Sequence, residues 1–85
     1  MTRFLIERNY AQQVELTAEL AAGLRQINDE ENVKWLISFL SADKRKTYCL
    51  YEAENADAIR IAAQRAGLPA DVIVEVSDLR PEMFA

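Results

Sequence analysis

Around the only cysteine of the chain, residues 47–55 read TYCLYEAEN: a thiol between two tyrosines, followed by two carboxylates. Sulfur and carboxylate close together could ligate a metal, and an activated thiolate could act as a nucleophile. Activation needs an imidazolium, a lysine or a helix N-terminus beside the sulfur. The chain has no histidine, and Cys49 is flanked by Tyr48 and Leu50. Such a thiol, set in a strand among apolar groups, is expected to pack and not to react. Glu7 and Glu75 join Glu52 as carboxylates inside extended segments, a set better suited to hard cations such as magnesium, calcium or manganese than to softer metals. Tyr48, Tyr51 and Glu52 are the candidate ligand-binding side chains. There is no Ser-His-Asp set, no zinc-ligand spacing and no Gly-rich phosphate loop, so no residue is assigned a catalytic role.

Periodicity shows which elements would position these groups. Residues 3–8 (RFLIER) read as a strand with Phe4 and Ile6 on one face, Leu5 and Glu7 on the other. Leu16, Leu20, Leu24 and Ile27 then draw one helical stripe, with Thr17 as N-cap and Glu19 in the first turn. Gly23 costs a helix about 1 kcal/mol relative to alanine, which suggests close approach to a sheet. Asn32 is the expected stop. Residues 33–40 (VKWLISFL) alternate as a second strand. Val33, Trp35, Ile37 and Phe39 are expected toward the core, and Lys34, Leu36, Ser38 and Leu40 away from it. The segment SADKRK turns the chain, and residues 47–53 return as a third strand. Asn55 caps a second helix with a narrow stripe of Ile59, Ala62, Ala63 and Ala66, which the run AGLP terminates. Residues 71–77 (DVIVEVS) form a fourth strand and LRPEMFA a tail.

The order β-α-β-β-α-β over 85 residues predicts one α+β domain, 1–85, of the ferredoxin-like type. Such a fold has a four-stranded antiparallel sheet with both helices on one face. The opposite face is expected to show Leu5, Glu7, Lys34, Leu36, Ser38, Leu40, Ile73 and Glu75, too apolar to stand comfortably in water. A homodimer through this open face follows as the expected assembly. On the third strand, turning Glu52 outward avoids burying a carboxylate under the helices, which sends Tyr48 outward with it and Cys49 inward.

Composition excludes several classes. A net charge of −4 lacks the basic footprint of nucleic-acid binding, and Lys44, Arg45 and Lys46 sit in a turn. No run is apolar enough for a membrane span, and the first ten residues lack a signal peptide's apolar core. A cytoplasmic location is the default expectation, and one cysteine makes no intramolecular disulfide.

In order along the chain, FLIER, VKWLISFL, KTYCLYEA and AIRIAAQRAGLPADVIVEV resemble a family of small bacterial domains of unknown function described as nickel-binding-protein-like. The resemblance implies a ferredoxin-like fold, dimeric assembly and nickel as a possible ligand. Relatives carry histidine where this chain has Ile37 and Ala62, so the metal ligands left by the resemblance are Glu7, Cys49 and Glu52. The function expected on these grounds is a non-enzymatic binding or accessory protein, with no cofactor required. The alternative, by analogy of fold alone, is a cofactor-free dimeric α/β-barrel enzyme of the oxygenase or isomerase type acting on a small molecule. A cavity of at least ~300 Å³ with convergent polar groups would favour that alternative.

Overall fold

The computed structural model describes residues 1–84. Strands β1 (Thr2–Asn9), β2 (Lys34–Leu40), β3 (Lys46–Ala53) and β4 (Val72–Val76) pair antiparallel in the order β2-β3-β1-β4. Helix α1 (Ala18–Glu30) joins β1 to β2, and α2 (Ala56–Ala66) joins β3 to β4. This is the ferredoxin-like architecture, and a single 3-10 turn, Pro81–Phe84, follows it.

Local chemistry sets the helix limits. Thr17 Oγ1 accepts the Leu20 N–H at 3.2 Å, and Asn55 Oδ1 accepts the Ala58 N–H at 2.9 Å, each relieving an orphan donor of a first turn. Chain reversal after α2 falls on Gly67 at φ 68°, and the Leu68 N–H returns to the Ala63 carbonyl. Asn32, at φ 60°, turns the chain out of α1 as expected.

Between sheet and helices lies the core: Phe4, Ile6, Val33, Cys49, Tyr51, Ala53, Ile59 and Ala62. β1 and β3 keep the expected alternation, so Cys49 is inside and Tyr48, Leu50 and Glu52 are outside.

Three expectations are corrected. On β2, Trp35 stands opposite Tyr51 but Ile37 stands opposite Leu50, so an extra residue is inserted between them. This β-bulge reverses the alternation for the rest of the strand. Ser38 and Leu40 come opposite Cys49 and Thr47 on the helix side, and Ile37 and Phe39 turn outward, 48% and 58% exposed. On β4, Ile73 pairs with Ile6 and Glu75 with Phe4, which places both on the helix side, so Val72, Val74 and Val76 face outward. Glu75 therefore does not share a face with Glu7 and Glu52. Finally, Gly23 marks no close approach: a Cβ built there meets nothing within 4 Å.

At Gly67 the left-handed backbone leaves alanine strained, so Gly67→Ala should destabilise the fold by about 1 kcal/mol. Urea unfolding should show a lower midpoint with an unchanged slope.

Candidate functional site

The register orders the open face into rows that cross all four strands. The central row is Ile37, Leu50, Leu5 and Val74, aliphatic from edge to edge. On one side of it runs Phe39, Tyr48, Glu7 and Val72; on the other, Lys34, Glu52, Arg3 and Val76. Both carboxylates have cationic neighbours: Glu7 lies 3.8 Å from Lys46 Nζ, and Glu52 lies 3.8 Å from Arg3 Nε. Lys46 Nζ also stands 5.8 Å from the Tyr48 ring centroid.

The metal set named from the sequence is not assembled within the protomer. Arg3 is the partner of Glu52 in the sheet, and Glu7 lies four residues further along β1, roughly 13 Å away at the usual strand rise. Cys49 is buried on the opposite face, where its thiol donates to Thr47 Oγ1 at 3.6 Å. Among the described residues, no three His, Cys, Asp or Glu side chains gather where they could hold a metal ion. The ligand set divides in the same way: Tyr48 and Glu52 are outside, and Tyr51 is buried beneath α2.

Beneath the helices lies a polar cluster that the sequence reading passed over. Arg8 shares the parity of Phe4 and Ile6, which was the available signal, and it is only 3% exposed. Its Nη1 donates to the Pro69 carbonyl at 2.5 Å, tying the turn after α2 to the central strand. The guanidinium lies 5.8 Å from the Tyr51 ring centroid, and among the described residues no carboxylate pairs with it. Burial pushes the Tyr51 phenol above its ordinary pKa, with the Arg8 charge opposing. Asn28, the buried residue of α1, borders the same spot, and its Nδ2 has no protein partner there. A void of about 10 Å³ between these groups has room for about one water.

Next to this cluster opens a larger cavity of about 370 Å³. Leu20, Leu24 and Ile27 of α1 form its helical wall, with Leu16 beside them; Leu16 lies before the Thr17 cap, outside the helix to which its spacing assigned it. Trp35, Ser38 and Thr47 form the sheet wall. The stripe expected to seal α1 onto the sheet instead borders this hollow, and Leu16 and Leu20 remain 53% and 55% exposed. Tyr10 completes the lining, with its hydroxyl 3.2 Å from Thr47 Oγ1. Trp35 Nε1 donates to Ser38 Oγ at 2.8 Å. The charged lining groups are Glu15, Glu19 and Arg65, all exposed. Arg65 is already engaged by Glu30 and Glu31, and its hydrogen bond holds the Glu30 carboxyl below the usual carboxylate range.

Comparison with known proteins places the chain. The model of the nickel responsive protein SCO4226-like family matches residues 4–76, and the chain belongs to that family. Among solved structures, SCO4226 from Streptomyces coelicolor A3(2) is similar at 24% identity and a TM-score of 0.70, over 92% of this chain and 99% of that one. This likeness bears on the fold alone. No curated protein matches.

The buried phenol makes a pH-dependent prediction. A folded pKa above the unfolded value means that the neutral form is favoured in the native state. That contribution is complete below about pH 10 and is lost as pH climbs from there through the folded value. Tyr51→Phe should flatten the alkaline decline in urea-unfolding stability. Cys49, being buried, should resist thiol reagents until the protein is denatured.

Proposed function

We propose that this member of the SCO4226-like family is a small homodimeric binding or accessory protein that packs its open sheet face on a second copy. One observation carries the reading: the aliphatic row Ile37, Leu50, Leu5 and Val74 crosses the whole uncovered face. Phe39 and Val72 extend the exposed apolar surface beside it, a patch of the kind that marks an interface.

Electrostatics favour a second copy as the occupant. The chain carries −4 overall, yet this face presents Arg3, Lys34 and Lys46 against Glu7 and Glu52, so two such faces do not repel. A two-fold axis along the aliphatic row lays the flank holding Glu7 over the flank holding Arg3 and Lys34, and apolar side chains meet in the middle.

The family description raises nickel, and the side chains present do not suit it. Nickel sites favour imidazole, which this chain lacks, and its one thiol lies across the sheet from Glu7 and Glu52. No step of the proposed function runs through a metal. An enzymatic role as a cofactor-free oxygenase or isomerase is the second reading, supported by the 370 Å³ cavity. It is weaker because the cavity's inner polar groups are hydroxyls and an indole N–H, with the carboxylates exposed at Glu15 and Glu19.

Ile37 is exposed in the protomer, so Ile37→Lys should spare the fold and place an unpaired charge in the dimer contact. Sedimentation velocity should give a dimer for the wild type and a monomer for Ile37→Lys, with unchanged circular dichroism. A monomeric wild type removes the reading. Calorimetric titration should give no more heat with nickel than with magnesium. A nickel heat abolished by Cys49→Ser or Glu52→Gln would instead restore those residues as ligands.

A further inference from the structure

We propose that the cavity between α1 and the sheet is a binding site for a small, uncharged, mainly apolar molecule carrying one hydrogen-bonding oxygen, such as a phenol or an alicyclic ketone. Volume comes first. About 150 Å³ lined by aliphatic side chains is enough to take up benzene. The hollow here measures about 370 Å³, room for a larger ring system. Its helical wall is made by Leu20 and Leu24 of α1, continued by Leu16 just before the helix; Leu16 and Leu20 remain more than half exposed, so an apolar occupant gains by covering them.

The polar atoms specify the rest. Ser38 Oγ accepts from Trp35 Nε1, which leaves the serine's own proton free to donate. Tyr10 and Thr47 share one hydrogen bond, and whichever donates, the other keeps a free hydroxyl proton. Thr47 is meanwhile accepting from the Cys49 thiol. The sheet wall thus offers O–H donors to a carbonyl, ether or hydroxyl oxygen. Glu15 and Glu19 disfavour an anion, because Arg65, the cation that could offset them, is held by Glu30 and Glu31.

Gly23 is an independent pointer. It sits inside α1, where glycine weakens a helix, and no neighbouring atom forbids a side chain. It also lines the cavity, so its missing Cβ keeps that volume open. A molecule lying against the α1 backbone accounts for a residue that the empty fold does not need.

Trp35 is the only tryptophan and lines the cavity, so its fluorescence reports occupancy. The probe is 4-bromophenol, whose heavy atom quenches on contact, with 4-bromobenzoate as the anionic control. Saturable quenching by the phenol is expected, with about tenfold weaker binding of the benzoate or worse. Gly23→Leu should raise the melting temperature while abolishing saturation, which separates a filled cavity from a damaged fold. Tyr10→Phe combined with Thr47→Val removes both hydroxyls of that pair; it should weaken 4-bromophenol but leave bromobenzene unchanged, and it keeps the test decisive if leucine at position 23 disturbs the helix. Occupancy does not require the dimer, so Ile37→Lys should bind as the wild type does. Linear quenching by both probes, tighter binding of the benzoate, or saturation insensitive to Gly23→Leu and to the combined Tyr10→Phe and Thr47→Val change would each overturn the proposal. So would loss of binding in Ile37→Lys, which would move the site to the dimer contact.

Discussion

Two helices totalling 24 residues must cover a four-stranded sheet, and that shortage of cover governs the molecule. They pack on one face, where Ile6 and Ile59 are almost fully buried, and they leave the other bare. Even the covered face is not sealed. α2 lies close because its inward stripe is small, with Ala62 and Ala63 against the strands. α1 carries leucines and stands off at its N-terminal half. Both places to which a function is proposed lie where cover is missing: a hollow under α1 and an aliphatic band on the far side.

The bulge in β2 shapes both places at once. By inserting one residue between Trp35 and Ile37 it moves Ser38 under α1, within reach of the indole N–H. The same insertion sends Ile37 and Phe39 to the open face, where they extend the apolar band to the sheet edge. Without it, Ser38 would dilute the outer patch and two large apolar side chains would crowd the cavity. One irregularity thus makes the inner wall more polar and the outer face more apolar.

Much of this was legible in the residues alone. Capping by Thr17 and Asn55 and the stop at Gly67 are local events, and local chemistry specified them. Burial cost placed Glu52 outward and Cys49 inward, and the register agrees. Other features were silent for physical reasons. In β4, apolar residues occupy both parities, so alternation carried no information about its facing. A bulge leaves no mark in a run such as VKWLISFL, where either phase has apolar residues. Helical periodicity gives a stripe's direction but not its distance from the sheet, so the gap under α1 was invisible. Arg8 could have been found, because its parity with Phe4 and Ile6 put it inside. Of the candidate site residues, the sequence named Glu7, Tyr48, Cys49, Tyr51 and Glu52, which the structure divides between two faces. It passed over Tyr10, Ser38 and Thr47, whose hydroxyls come together only in three dimensions.

The central claim is that the bare face of the sheet is covered by a second copy of the chain. Small-angle X-ray scattering tests it most directly, because one protomer has a Cα radius of gyration of 13.4 Å. The account predicts forward scattering of two chains and a radius clearly above that value. Forward scattering of a single chain, with a radius close to the protomer's, would contradict it.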